Sequence, residues 1–204
     1  GKGILPGIKV DKGAQDLALC PGEKVTEGLD GLRARLADYF KLGARFAKWR
    51  AVITIGADIP SHTCLYANAH ALARYAALCQ EASIVPMIEP EVLLDGDHTI
   101  ERCEEVTEAT LRATYAALAA HNVSFEHLIL KTSMVVSGKE CARQAPVAGS
   151  TCRSMIGPLL RRGTVSTTGG IAPPLATTRL SGWPSPIRLT LNVTGMTVTG
   201  SATP

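Results

Sequence analysis

Four apolar segments of this chain each end in charge, and that pattern restricts the fold more than any other feature. Lys9 and Asp11 alternate at the end of a run over 7–10, and Lys48 and Arg50 stand two apart inside a run over 46–55. Glu89 and Glu91 close the run that begins at 84, and Lys131 follows Leu128, Ile129 and Leu130. On an extended strand, residues two apart share a face. A charge buried without a partner is costly, so four strands with charge at or near their carboxyl ends are expected to share one polar site. Taken singly, each charge is equally well explained by a solvated strand end or a structural ion pair.

The segments between these runs read as helices. Leu29, Leu32, Leu36, Tyr39 and Phe40 recur at helical spacing and predict a helix over 28–42. Ser61 is the expected N-cap of a second helix reaching residue 81, with Leu65, Ala69, Leu72, Ala76 and Cys79 on its inner face. A third is expected over 99–121, carrying Ile100, Cys103, Val106, Leu111, Tyr115 and Leu118, before a strand over 128–134. A glycine-containing loop through Cys20, Pro21 and Gly22 is expected after the first strand, and another polar loop from Asp95 to His98. Strands alternating with helices at these lengths predict parallel βαβ units, an α/β fold. Periodicity alone leaves a barrel and an open sheet equal; the charged carboxyl ends favour the barrel.

Composition narrows the function class. Of 204 residues, 46% are hydrophobic and 19% charged, which suits a packed soluble domain and argues for a cytosolic protein. Every apolar stretch is interrupted well before the roughly 20 residues of a membrane span, so no membrane association is expected. The cysteines Cys20, Cys64, Cys79, Cys103, Cys141 and Cys152 lie far apart without a CxxC pair, which predicts reduced thiols rather than a metal site. All 18 acidic residues fall at or before Glu140, against 15 basic ones there, and 141–204 holds six arginines and no acid. Those arginines are scattered among Pro, Gly, Ser and Thr with no aromatic platform, so nucleic acid is not an expected partner.

The wording of the segments carries more. GIKVDKG at 7–13, FAKWR at 46–50, VPMIEPE at 85–91 followed by DGDH at 95–98, and LKTSM at 130–134 resemble class I fructose-bisphosphate aldolase, in that family's order and spacing. The resemblance implies a TIM (β/α)₈ barrel and a lyase of glycolysis and gluconeogenesis. Lys131 matches the family's Schiff-base lysine, Glu89 its acid/base and Lys48 its second active-site lysine. An amine attacks a ketone only when unprotonated, and a neighbouring ammonium with partial desolvation favours that state. Lys9 and Arg50 match substrate-binding positions, with orientation of Asp11, Glu89 and Glu91 an equal alternative; Asp11 and Glu91 count as supporting residues. The family uses no metal or other cofactor, and the loop from Asp95 to His98 lacks a calcium loop's oxygen ligands. Sugar phosphate is the expected partner, in a full-length family of homo-oligomers, tetramers by resemblance.

The resemblance is continuous over residues 1 to about 140, the central part of the barrel is assigned to 1–145, and beyond about residue 145 the match is patchy. A complete barrel takes roughly 250 residues, and this chain is expected to begin at the family's third strand and to hold about half a barrel. Residues 146–204 read as a diverged or frameshifted segment in which Gly169 and Gly170 echo a phosphate-binding turn. The implied function is reversible cleavage of fructose 1,6-bisphosphate to dihydroxyacetone phosphate and glyceraldehyde 3-phosphate. An inactive remnant and a Schiff-base aldolase for another ketose phosphate are the alternatives.

Overall fold

The structure, a computed structural model, describes residues 3–144, 176–178 and 189–191. The chain divides into two units, Gly1–Arg153 and Ser154–Pro204. In the second, β7 (Ala176–Thr178) pairs antiparallel with β8 (Leu189–Leu191).

The first unit is built on four parallel strands in the order β1-β4-β5-β6: β1 (Gly7–Lys9), β4 (Phe46–Ile53), β5 (Val85–Val92) and β6 (Ile129–Leu130). Helices α1 (Leu32–Lys41), α2 (His62–Glu81) and α3 (Ile100–Ala120) connect them. Alternation along the strands sorts the side chains. Ala47, Trp49, Ala51 and Ile88 are buried with Leu32, Leu36, Leu72, Tyr75, Ala76 and Leu118 in one core under the helices. The residues between them, Lys48, Arg50, Met87, Glu89 and Glu91, occupy the opposite face. A second apolar cluster of Ile53, Val92, Cys64, Cys103 and Val106 packs the carboxyl ends of β4 and β5 against the first turns of α2 and α3. Parallel strands joined by helices in this order are the α/β arrangement of a TIM barrel.

Local chemistry explains the element ends. Ser61 and Thr99 cap α2 and α3, each accepting a backbone N–H of the first turn. Helix α1 begins four residues later than its apolar spacing predicts, because Gly28 and Gly31 take positive φ angles of 128° and 66° that a helix cannot contain. The expected strand over 128–134 is regular only at Ile129–Leu130. Within the expected loop after β1, residues form a hairpin instead, β2 (Ala14–Asp16) against β3 (Lys24–Thr26). Alternation over three residues is too short to be visible in sequence, and the hairpin is held by tertiary contacts. Glu23 accepts from the Ser61 amide at 2.6 Å and its hydroxyl at 2.5 Å, and Thr26 donates to the Arg50 carbonyl at 2.7 Å. The buried Asn68 amide donates to the Lys24 carbonyl at 2.8 Å and accepts from the Thr26 amide.

Among the described residues no helix is long and apolar enough to cross a membrane. Cys20, Cys64, Cys79, Cys103 and Cys141 are free thiols.

Candidate active site

Register places the charged positions side by side. Lys9 lies opposite Lys48, and Arg50 opposite Glu89. The Lys131 amide donates to the Ile88 carbonyl at 2.9 Å, so the residue after β6 stands beside Glu89.

Glu89 is the centre of the group. Its side chain is only 3% exposed, and the two lysines meet it from either side: Lys131 Nζ on Oε1 and Lys48 Nζ on Oε2. The Lys48 contact is an ion pair without hydrogen-bond alignment. Burial alone would push the Glu89 carboxyl upward, but the hydrogen bond from Lys131 and the charges of Lys131 and Lys48 outweigh it and hold the group below its ordinary 4.5. The lysines differ in access, with Lys131 51% exposed and Lys48 25%. Lys131 is therefore the more accessible of the two amines, and Glu89 lies in direct contact with it. The two ammonium groups do not confront each other alone, since the carboxylate lies between them.

Flanking this triad, Arg50 donates from Nε to Glu91, and that bond holds the guanidinium above its ordinary value. Lys9 donates to Asp11 Oδ1 at 2.5 Å. The seven described residues expected at the site lie on neighbouring strands, but not all at strand ends: Lys9 ends β1 with Asp11 just beyond it, Lys48 and Arg50 stand in the first half and middle of β4, Glu89 and Glu91 in the second half of β5, and Lys131 just past β6. Gly169 and Gly170 lie outside the described residues. The loop from Asp95 to His98 is tied to the stretch after Lys131, with the Gly138 amide on the His98 carbonyl at 2.8 Å and the Glu140 amide on Gly96 at 3.0 Å. Among the described residues no three His, Cys, Asp or Glu side chains converge on a metal position.

Three supporting side chains escape a sequence reading. Ser133 donates to the Val92 carbonyl at 2.8 Å and fastens the stretch after Lys131 to β5. Arg35 reaches from α1 to the Val10 carbonyl at 2.9 Å and also to Gly28. Tyr75 donates to the Ala47 carbonyl at 2.6 Å beneath Lys48 and stacks on Trp49. Serine, arginine and tyrosine on helices and loops are common, and only the fold reveals their targets. Arg35 offered the one available signal, a cation on the otherwise apolar side of α1 between Leu32 and Leu36.

Comparison with known proteins identifies the family. The family model described as fructose-bisphosphate aldolase class-I matches residues 1–179. A protein of Xanthomonas campestris pv. campestris, named "Probable fructose-bisphosphate aldolase class 1", is 66% identical over 173 residues, covering 82% of this chain and 52% of that protein. The pea (Pisum sativum) fructose-bisphosphate aldolase, cytoplasmic isozyme 2, is 52% identical over 155 residues, covering 75% of this chain and 43% of the relative. The chain thus spans about half the length of the curated relatives it matches. Among solved structures, fructose-bisphosphate aldolase from Plasmodium falciparum, in a ternary complex with TRAP and a small-molecule inhibitor, superposes with a TM-score of 0.71. That match is 44% identical and covers 72% of this chain and 43% of the other. The chain belongs to the class I fructose-bisphosphate aldolase family, with the α/β-barrel fold of that family.

Proposed function

We propose that this chain carries the Schiff-base site of a fructose-1,6-bisphosphate aldolase, a lyase that reversibly cleaves its substrate to dihydroxyacetone phosphate and glyceraldehyde 3-phosphate. The observation that carries the reading is the buried Glu89 carboxylate held between an accessible Lys131 and a more sheltered Lys48. Glu89 takes a proton from the Lys131 ammonium, the freed amine attacks the C2 ketone, and Glu89 returns that proton to the carbinolamine hydroxyl so that water leaves and the iminium forms. Glu89 then accepts the C4 hydroxyl proton as the bond between C3 and C4 breaks, and the iminium takes up the electron pair as an enamine. Protonation of that enamine and hydrolysis release dihydroxyacetone phosphate. Lys48 counters charge at Glu89 and at substrate oxygen. Lys9 and Arg50 lie on the same face as phosphate-binding groups, and Gly169 and Gly170 complete the binding set by family resemblance.

The reaction needs no metal or cofactor, since the lysine iminium is itself the electron sink. The cytoplasmic and cytosolic names of the plant relatives support a cytosolic setting. Family resemblance supports assembly as a homo-oligomer, a tetramer, with sugar phosphate as the partner. The test is borohydride reduction in the presence of dihydroxyacetone phosphate, followed by peptide mass spectrometry. An adduct on Lys131 that disappears in Lys131→Ala is expected. Absence of any adduct assigns the chain to a non-catalytic role.

A further inference from the structure

The end of the β1–β4 ladder departs from ordinary strand pairing, and Asp11 is what replaces it. The ladder runs regularly to Val10, whose amide donates to the Lys48 carbonyl at 3.1 Å. In a parallel ladder the Val10 carbonyl would next accept from the Arg50 amide. Instead Arg35 Nη1 takes that carbonyl at 2.9 Å, and the Arg50 amide donates to Asp11 Oδ2 at 3.3 Å. Asp11 Oδ1 simultaneously accepts from Lys9 Nζ at 2.5 Å and from the Gly13 amide at 3.1 Å. One carboxylate, only 2% exposed, therefore holds the side chain of Lys9, the backbone of Arg50 and the turn that carries β1 out of the sheet into the hairpin.

We infer that Asp11 is a positioning residue that acts through Lys9 and Arg50, aiming both cations at the anionic end of the substrate without touching it. The inference rests on the reading of Lys9 and Arg50 as sugar-phosphate binders. Its chemistry is specific to a carboxylate. Three N–H donors from two strands and a turn converge on two oxygens, and an amide at this position would offer a single acceptor oxygen and turn an NH₂ toward one set of donors. A long lysine anchored at its ammonium also sheds less rotational freedom when an anion binds than a free one does. The setting leaves no slack for a substitute conformation. Gly28 passes the Asp11 backbone so closely that a Cβ there would lie 3.2 Å from the Asp11 Cα and 2.9 Å from the Lys12 nitrogen.

A double-mutant cycle on the full chain tests this, using Asp11→Asn, Lys9→Met and the pair, with dihydroxyacetone phosphate binding followed by calorimetry and amide exchange by NMR. Asp11→Asn is expected to weaken binding about tenfold, the size of one charge-assisted hydrogen bond. The pair should lose less than the sum of the two single losses, because both substitutions act on the Lys9 ammonium while Asp11 also acts through Arg50. Amide exchange of Gly13 and Arg50 should accelerate in Asp11→Asn and stay unchanged in Lys9→Met. Additive losses in the cycle, or unchanged Gly13 and Arg50 protection in Asp11→Asn, overturn the inference. If the unsubstituted chain binds no dihydroxyacetone phosphate, the sugar-phosphate reading fails, and the exchange rates alone then decide whether Asp11 fixes the two strands. Should Asp11→Asn lose its cooperative melt, Asp11→Glu replaces it. That variant keeps the charge and changes only the reach, with the same losses expected and the same results overturning the idea.

Discussion

Glu89 is the side chain on which both stability and chemistry converge. Its folded-state pKa lies below the unfolded value because two ammonium groups outweigh the effect of burial. A carboxylate shifted downward contributes stability that is complete above its unfolded pKa and lost as pH falls through the folded one. Unfolding midpoints measured between about pH 6 and pH 3 should therefore fall more steeply for the native chain than for Glu89→Gln. Equal slopes would mean that the two lysines do not hold this carboxylate ionised in solution. The same substitution should reduce turnover far more than substrate affinity, because a proton shuttle works mainly in the transition state. An equal loss of both would assign Glu89 to scaffolding.

At the scale of elements, the hairpin β2–β3 and helix α2 act as one piece. Asn68 sits on α2 and satisfies the backbone of Lys24 and Thr26 from within the core. Its removal leaves the buried Thr26 amide without this partner and the Lys24 carbonyl with only the Cys64 thiol, at a cost of about 1–3 kcal/mol for the unsatisfied amide. Asn68→Ala should lower the melting temperature by several degrees and make the segment over 17–23 more sensitive to limited proteolysis. A melt indistinguishable from that of the native chain would show that water replaces the side chain at no cost. The hairpin matters to the site because Thr26 holds the Arg50 carbonyl at 2.7 Å while Asp11 holds the Arg50 amide at 3.3 Å. The backbone of this one cation is thereby gripped from both sides.

At the scale of the whole molecule, the described cysteines report on the integrity of the fold. Burial raises the Cys64 thiol to about 11 and the Cys79 thiol to about 12, and Cys103 is buried with them in the helix layer. The thiolate is the reactive form, so these three should resist alkylation at neutral pH while Cys20 and Cys141, which are partly exposed, react. Peptide mapping after brief iodoacetamide treatment checks this, and rapid labelling of Cys79 in native buffer would contradict a packed core. On the proposed mechanism aldol cleavage should survive EDTA unchanged, since an iminium at Lys131 would be the electron sink. Loss of activity on chelation would replace the amine mechanism with a metal-dependent one.

What the sequence by itself determined follows from strong local physics. Near-continuous apolar strands, amphipathic helices and the Ser61 cap are dictated within a few residues of chain, and alternation puts Lys48 with Arg50, and Glu89 with Glu91, on one face of their strands. The aldolase wording then supplied roles for Lys131 and Glu89 that alternation alone could not assign. Tertiary structure decided the rest. The sequence carries no mark that Lys131 and Lys48 would share the two oxygens of Glu89, because that depends on strand order and register across segments 40 or so residues apart. Nor could it show the hairpin after β1, whose three-residue strands are held by Glu23, Thr26 and Asn68 reaching distant partners. Asp11 is the clearest instance. In sequence it is one more acid beside a lysine, and only the parting of β1 from β4 makes its carboxylate the acceptor that the Arg50 amide would otherwise find in the ladder.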